Sequence, residues 1–351
     1  MLNALISGAK VWINIPKQYS NGDGPLAGTI TVQVNSDSGF EMKGITIKFH
    51  GEAEIEYEYM KEVDNGDGGK KKEKEKFKKE KKFDKVKAMV VGPQKLTKGT
   101  HNFPFQLQLP ENLPATFKLK NKKGLDYEAE IEYKMYAKID KAGLDPKSEK
   151  VHVHLLPSVQ HQAADLSNTN KFMFGKGSST IHVDLPTLAF PLGSPMELSV
   201  ECKNESKKTN KHLKAKLQQR IKLISGERGV PDMVINRTVG EGRVDGAGSQ
   251  RQTVVRDLQI HTADLPPSID HKFIQISYKL EVAASYSFAK DPAVKTDVKL
   301  LPMSEQRAAS SPKSTVPRMA LLEEQQQQQM DQQRQQQQQQ QQAQPDAIPL
   351  R

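Results

Sequence analysis

Residues 45–59 read ITIKFHGEAEIEYEY, and the string separates into two interleaved series. The odd positions are Ile45, Ile47, Phe49, Gly51, Ala53, Ile55, Tyr57 and Tyr59; the even ones are Thr46, Lys48, His50, Glu52, Glu54, Glu56 and Glu58. A β-strand sends successive side chains to opposite faces, so this stretch carries one apolar face and one wet face. Wound as an α-helix, the same apolar residues would be spread around the whole circumference. Residues 45–59 are therefore expected to be an amphipathic strand.

The same period recurs along the chain. Ile30, Val32 and Val34 alternate, as do Phe103, Phe105, Leu107 and Leu109, and then Ala129, Ile131, Tyr133, Met135, Ala137 and Ile139. Later sets are Val151, Val153 and Leu155; Ile181, Val183 and Leu185; and Met196, Leu198, Val200 and Cys202. The longest late set runs at every second residue from Ile274 to Phe288. Turn residues separate the sets, as in Asn21-Gly22-Asp23-Gly24, Gly99, Lys123-Gly124 and Pro191-Leu192-Gly193. Such strands, with little helical periodicity, predict an all-β chain of antiparallel β-sandwiches of the immunoglobulin-like kind.

The two halves echo one another. LPATF at 113–117 precedes IEYKMYAKI at 131–139, and LPPSI at 265–269 precedes ISYKLEVAA at 276–284. Two sandwiches in tandem are expected, over 1–157 and 171–302, joined by a polar linker at 158–170 that shows no alternation. Residues 303–351 turn small, polar and then Gln-rich, offer no apolar face to bury, and are expected to be a disordered tail with transient helix around ALLEEQQQQQM.

The formal charge of +10 is concentrated in one place. Residues 70–87 hold eleven Lys against Glu73, Glu75, Glu80 and Asp84, or +7, which leaves +3 for the remainder. This segment follows Asp64-Asn65-Gly66-Asp67-Gly68-Gly69, so 64–87 is expected to be an enlarged hairpin loop, too polar to enter a core. Lys70, Lys71, Lys72, Lys74, Lys76, Lys78, Lys79, Lys81 and Lys82 would bind anionic lipid headgroups, at about 1 kcal/mol each near a charged surface, or phosphopeptides. Nucleic acid ranks last, because Phe77 and Phe83 are the segment's only aromatics. The competing reading is a solubilising insertion neutralised in part by its own acids. Ser310, Ser311 and Ser314 are candidate phosphosites whose added charge would compete for the Lys segment.

Other tempting sites carry less. His152 and His154 share one strand face with His161 nearby, but a full zinc ligand set is lacking, so they read as exposed histidines. Gly175-Lys176-Gly177-Ser178-Ser179 lacks the spacing and following helix of a phosphate loop and reads as a turn that starts a strand. Cys202 closes an alternating apolar set and reads as core; as the single cysteine it excludes an internal disulfide. The ladder Glu52, Glu54, Glu56 and Glu58 reads as a solvated edge that the Lys segment can oppose, in preference to paired catalytic carboxylates. No catalytic, cofactor or metal site is expected, and the chain is not read as an enzyme. The start MLNALISGAKVWINIPK lacks the pattern of a signal peptide, and no apolar run approaches the ~20 residues that span a bilayer, so a cytoplasmic chain is expected. The sequons at Asn204 and Asn236 then read as chance matches.

Several blocks resemble the arrestin family. PLAGTITVQVNSDSGFEMKGITIKFHGEAEIEY at 25–57 is similar to the opening sheet of arrestin N-domains, and LTKGTHNFPFQLQLPENLPATF at 96–117 to that family's F-P-F…L-P…P-x-S-F block, with Ala115-Thr116 in place of a small residue and Ser. EAEIEYKMYAKID at 128–140 resembles the strand that closes the N-domain. KGSSTIHVDLPTLAFPLGSPMELSVECKNES at 176–206, followed by KAKLQQRI at 214–221, resembles the opening of the C-domain. The similarity covers roughly 5–301 and is nearest the broad α-arrestin group. It implies tandem arrestin sandwiches and a monomeric cytoplasmic adaptor, peripheral at endosomal or plasma membrane. Such proteins bind cytoplasmic tails of membrane proteins and link them to endocytic or endosomal sorting, or to ubiquitin-ligase machinery. The ligase-recruiting Pro-Pro-x-Tyr motif is missing, since Pro266-Pro267 is followed by Ser268-Ile269. The alternatives are a retromer-type coat subunit of the same fold and, from another class, a basic nucleic-acid-binding protein.

Overall fold

The computed structural model describes residues 8–20, 24–141, 145–157, 162–172, 177–248, 252–287 and 290–302. All lie in one compact unit, Met1–Ser304. Eleven strands make the first sandwich: β1 (Ala9–Asn14), β2 (Gln18–Ser20), β3 (Leu26–Val34), β4 (Phe40–Met42), β5 (Gly44–Asp64), β6 (Lys70–Val91), β7 (Gln94–Leu96), β8 (Gly99–Leu107), β9 (Phe117–Asn121), β10 (Tyr127–Asp140) and β11 (Val151–Leu156). They form a sheet β1-β3-β8, a larger sheet β2-β11-β10-β5-β6 with β9 also on β10, and the small pair β4-β7. The second sandwich contains β12 (Ala164–Lys171), β13 (Ser178–Leu185), β14 (Ala189–Pro191), β15 (Met196–Asn204), β16 (Asn210–Leu223), β17 (Met233–Gly248), β18 (Gln252–Ile260), β19 (Ile269–His271), β20 (Ile274–Tyr286) and β21 (Ala293–Leu301). Its sheets are β12-β13-β15-β18 and β14-β21-β20-β16-β17, with β19 on β20.

The alternating sets become strands because one face of each is buried. In β10 every odd residue from Tyr127 to Ile139 is buried and every even one half-exposed. The odd residues of β5 from Ile45 to Tyr57 face the same core, where Phe49 stacks on Tyr133 at 5.5 Å.

The echo between the halves is structural. Tyr133 donates its hydroxyl hydrogen to the Pro114 carbonyl at 2.9 Å, and Tyr278 donates to the Pro266 carbonyl at 2.5 Å. Thr116 Oγ1 accepts from the Leu155 amide at 2.9 Å, and Ser268 Oγ accepts from the Leu300 amide at 2.9 Å. Each Leu-Pro turn is thus held twice, by a core tyrosine and by a hydroxyl that caps the neighbouring strand. Both hydroxyls are half-buried and paired, which ties each turn to its sheet.

Two expectations need correction. Residues 70–87 are not a hairpin loop: they form most of β6, paired antiparallel with β5 from Ile45↔Val91 to Asp64↔Lys70. A strand needs backbone partners along its length and only sometimes a core, and here the opposite charges of β5 supply the side-chain match. The turn is confined to residues 65–69, where the Asn65 carboxamide accepts from the Gly69 amide at 2.9 Å. The expected linker is also shorter than 158–170, because Ala164–Lys171 pairs with β13 as an exposed strand.

Candidate functional site

The outer face of the large N-terminal sheet carries columns of charge. Across one row stand Lys78 of β6, Glu56 of β5, Glu128 of β10 and Lys120 of β9. Glu54 faces Glu130 and Glu52 faces Glu132 in the neighbouring rows. Like charges directly opposite destabilise a sheet, so this double acidic column needs cations on its flanks. β6 supplies them on one side, where Lys74 pairs with Glu58, Lys76 with Glu56, Lys78 with Glu54 at 2.6 Å and Lys82 with Glu52 at 3.1 Å. Lys118 and Lys120 supply the other, on Glu128 and Glu130.

Glu52 is the buried end of the ladder, 8% exposed. Burial pushes its carboxyl up, but hydrogen bonds from Lys134, Lys82 and His50 outweigh it and hold Glu52 well below the usual carboxylate range. Lys134 bridges Glu52 to Glu132, joining the two acidic columns.

The nine Lys singled out from the sequence are divided by the strand. Lys70, Lys72, Lys74, Lys76, Lys78 and Lys82 lie on the outer face with the Glu ladder. Lys71, Lys79 and Lys81 lie on the opposite face. Lys72, Lys81, Lys85 and Lys87 are exposed and, among the described residues, carry no ion pair. The surface charge available to a partner is therefore well short of a free eleven-lysine brush.

The inner face of the hairpin meets the second sandwich. Tyr57 donates to the Pro231 carbonyl at 2.7 Å, and Lys79 donates to the Ser225 carbonyl while lying 5.8 Å from the Phe273 ring. Burial pushes the Tyr57 hydroxyl up to about 12. Phe83 packs edge-on to Tyr133 at 5.7 Å and against His271 at 4.7 Å, and His271 in turn packs on Phe273 at 4.6 Å.

A bulge aims Phe83 there. Phe49 pairs with Val86 and Gly51 with Phe83, so Asp84 and Lys85 together oppose His50. Asp84 takes a φ of 45°, a left-handed conformation that Asp tolerates better than most residues. Gly51 leaves the space: a Cβ there would sit 2.5 Å from the Phe83 ring. This joint was missed from the sequence. Its signal was the placement of Phe77 and Phe83 on the odd series of an otherwise Lys/Glu strand, opposite Tyr57 and Gly51.

The remaining candidates stand apart from this surface or at its margin. His152 is exposed with Nδ1 3.3 Å from Glu132, and His154 is exposed on the same strand. No group of His, Cys, Asp and Glu suited to a metal occurs among the described residues. Cys202 is buried, and burial raises its thiol pKa. Ser178 opens β13, a strand and not a helix, so the phosphate-loop reading finds no support. Gly175, Lys176, His161, Phe288, the turn at 21–23, the candidate phosphosites Ser310, Ser311 and Ser314 and the whole 303–351 tail lie outside the described residues. No helix among the described residues is long and apolar enough to cross a membrane.

Comparison with known proteins assigns most of the chain. The family model "Arrestin (or S-antigen), N-terminal domain" matches residues 10–162, and "Arrestin (or S-antigen), C-terminal domain" matches 175–304. The "Arrestin domain-containing protein A" of Dictyostelium discoideum is 27% identical over 212 residues, which cover 58% of this chain and 36% of that protein. The match thus takes in little more than a third of that relative's length.

Proposed function

The chain belongs to the arrestin family, and on that premise we propose that it is a non-enzymatic adaptor. It binds cytoplasmic parts of membrane proteins and links them to endocytic or endosomal sorting, working in the cytoplasm as a monomer at endosomal or plasma membrane. The observation that carries this reading is β6, a 22-residue strand at the border of its sheet that presents a long row of lysines. A cationic border of this kind favours anionic leaflets and acidic cytoplasmic segments. A link to ubiquitination would use a contact other than Pro-Pro-x-Tyr, which the chain lacks.

Two measurements test it. Full-length protein used as bait on membrane fractions is expected to retain membrane proteins together with sorting factors; recovery of neither overturns the adaptor reading. Stoichiometric co-purification with a fixed coat partner would instead favour the retromer-type alternative. The second measurement is co-sedimentation with neutral and with phosphoinositide-containing vesicles. Deleting 70–87 would remove a strand and uncover Tyr57, so the informative variant replaces Lys72, Lys81, Lys85 and Lys87 by Gln. Loss of sedimentation with anionic vesicles alone supports membrane contact through β6, and unchanged sedimentation overturns that part.

A further inference from the structure

We propose that the free border of β6 over Lys70–Lys78 is a docking site for an extended acidic peptide with Asp or Glu at alternate positions, added to the sheet as a further strand. The proposal deepens the adaptor reading and rests on it only for the peptide being cargo.

The first observation is an open edge. Among the described residues β6 pairs with β5 and with no other strand, so along its length every second backbone amide and carbonyl points away from the sheet. From Met60 to Lys76 no residue is buried, so this part of the hairpin projects beyond the core and is accessible from its outer side. The second sandwich bonds and packs on β6 at Lys79 and Phe83, through Ser225, His271 and Phe273.

The second observation is period. Lys70, Lys72, Lys74, Lys76 and Lys78 stand at every second position on one face. A strand laid alongside would present its own alternate side chains to this row at the cross-strand spacing of about 5 Å. The sheet already shows which chemistry suits the row, since on its inward side β5 meets the same lysines with Glu54, Glu56 and Glu58. An acidic column on the outward side would repeat the match.

The row also excludes other occupants. A second copy pairing through β6 would set lysine against lysine along the shared border, an arrangement that like-charge repulsion disfavours. The chain's own 303–351 segment carries Glu305, Glu323, Glu324, Asp331 and Asp346, no two of which are two residues apart. The lysines therefore keep the edge from self-association and leave it open to an acidic strand supplied by another protein.

The test uses the full chain and labelled Thr-Glu repeat peptides of roughly eight residues, enough to span Lys70–Lys78 at ~3.3 Å per residue. Fluorescence anisotropy is expected to show binding about tenfold tighter than for a peptide of the same composition with its Glu in one block. N-methylation of alternate peptide amides should abolish that advantage, because it removes strand hydrogen bonds and leaves the charge. Replacing Lys72, Lys74, Lys76 and Lys78 by Gln should weaken binding about tenfold. Because that variant also strips cations from the Glu ladder, the peptide-side changes decide the matter if it folds poorly. Equal binding of alternating, blocked and N-methylated peptides would overturn strand docking and reduce β6 to a charged patch. Vesicle binding without peptide binding would also overturn it, while leaving the adaptor reading intact. Failure of the membrane-fraction capture, with alternating peptides still preferred, would sink the adaptor reading and spare this one.

Discussion

Each sandwich ends its larger sheet in a long hairpin, and the two hairpins treat their borders differently. β5 and β6 are 21 and 22 residues, and beyond Tyr57 they leave the core with Lys facing Glu. β16 and β17 are 14 and 16 residues, and β17 is drawn against the opposite sheet, where Gly242 lies so near β18 that a Cβ would be 2.6 Å from the Gln259 carbonyl oxygen. Its charges are mixed and sparse: Arg237, Glu241, Arg243 and Asp245 stand among glycines. One border is held down by packing; the other is left open and guarded by like charge. The open one is where an interaction partner has backbone to pair with.

The sharpest way to break this contrast is to fill the space that holds β17 down. Gly242→Val should cost about 3 kcal/mol in urea unfolding, because the obstacle is backbone that cannot move aside. Gly51→Val meets first the Phe83 ring, a side chain that can swing away, so it should cost about 1 kcal/mol and undock Phe83 from His271. Equal costs would mean that the two borders are packed alike.

The paired tyrosines sharpen the comparison further. Tyr133→Phe should lose about 1 kcal/mol, the value of one hydrogen bond. Tyr278→Phe should lose about 2 kcal/mol, since its hydroxyl also accepts from Gln219 Nε2 at 2.7 Å and Gln219 is buried. Gln219 further accepts from Arg237 Nε at 2.8 Å, so the lost hydroxyl disturbs β17 as well.

The same two hairpins mark what can be read from the chain alone. β5, β10 and β20 were legible because an apolar series alternates with a polar one, and the Leu-Pro and Tyr-Lys echo located equivalent turns. β6 was not legible, because Lys and Glu are both polar and their alternation produces no amphipathic signal. Its partner is the Glu ladder, and only the register of the pairing shows the match. β12 failed for a related reason: Leu166 is the one large apolar residue in ADLSNTNK. The joint at Phe83 and His271 brings together residues far apart in sequence: the odd placement of Phe77 and Phe83 marks an inward face but not the partner that face meets.

Smaller effects test the charge ladder itself. Lys76→Gln, on an exposed pair, should unfold like the parent protein. Lys82→Gln should cost about 1 kcal/mol, since it uncovers the buried Glu52. Glu52 is ionised in the native state to lower pH than its ordinary value of 4.5. Its contribution is therefore present above about pH 4.5 and is lost as pH falls through the depressed native value. Glu52→Gln should flatten the acid side of the stability profile; an unchanged profile would show that the ladder is decorative.

The smallest expected effect lies where the first hairpin meets the second sandwich. His271 is packed between Phe83 and Phe273, and its Nδ1 is buried without a hydrogen-bond partner. Protonation would place a charge there with no acceptor for the new N–H. Burial accordingly lowers its pKa, opposed by Asp84 and Asp270, which favour the cation, and reinforced by Lys81. With the native value below that of the unfolded chain, near 6.5, the joint is most stable above that pH and weakens as pH falls from it toward the native value. The urea midpoint of the parent should drop between pH 8 and pH 5.5 by more than that of His271→Phe, which keeps the aromatic packing and removes the proton site. Asp84→Asn should enlarge the drop, because it withdraws the stronger of the two charges that favour the protonated ring. If His271→Phe keeps the full acid-side loss, the titrating group lies elsewhere and the first hairpin and the second sandwich are joined there by packing alone.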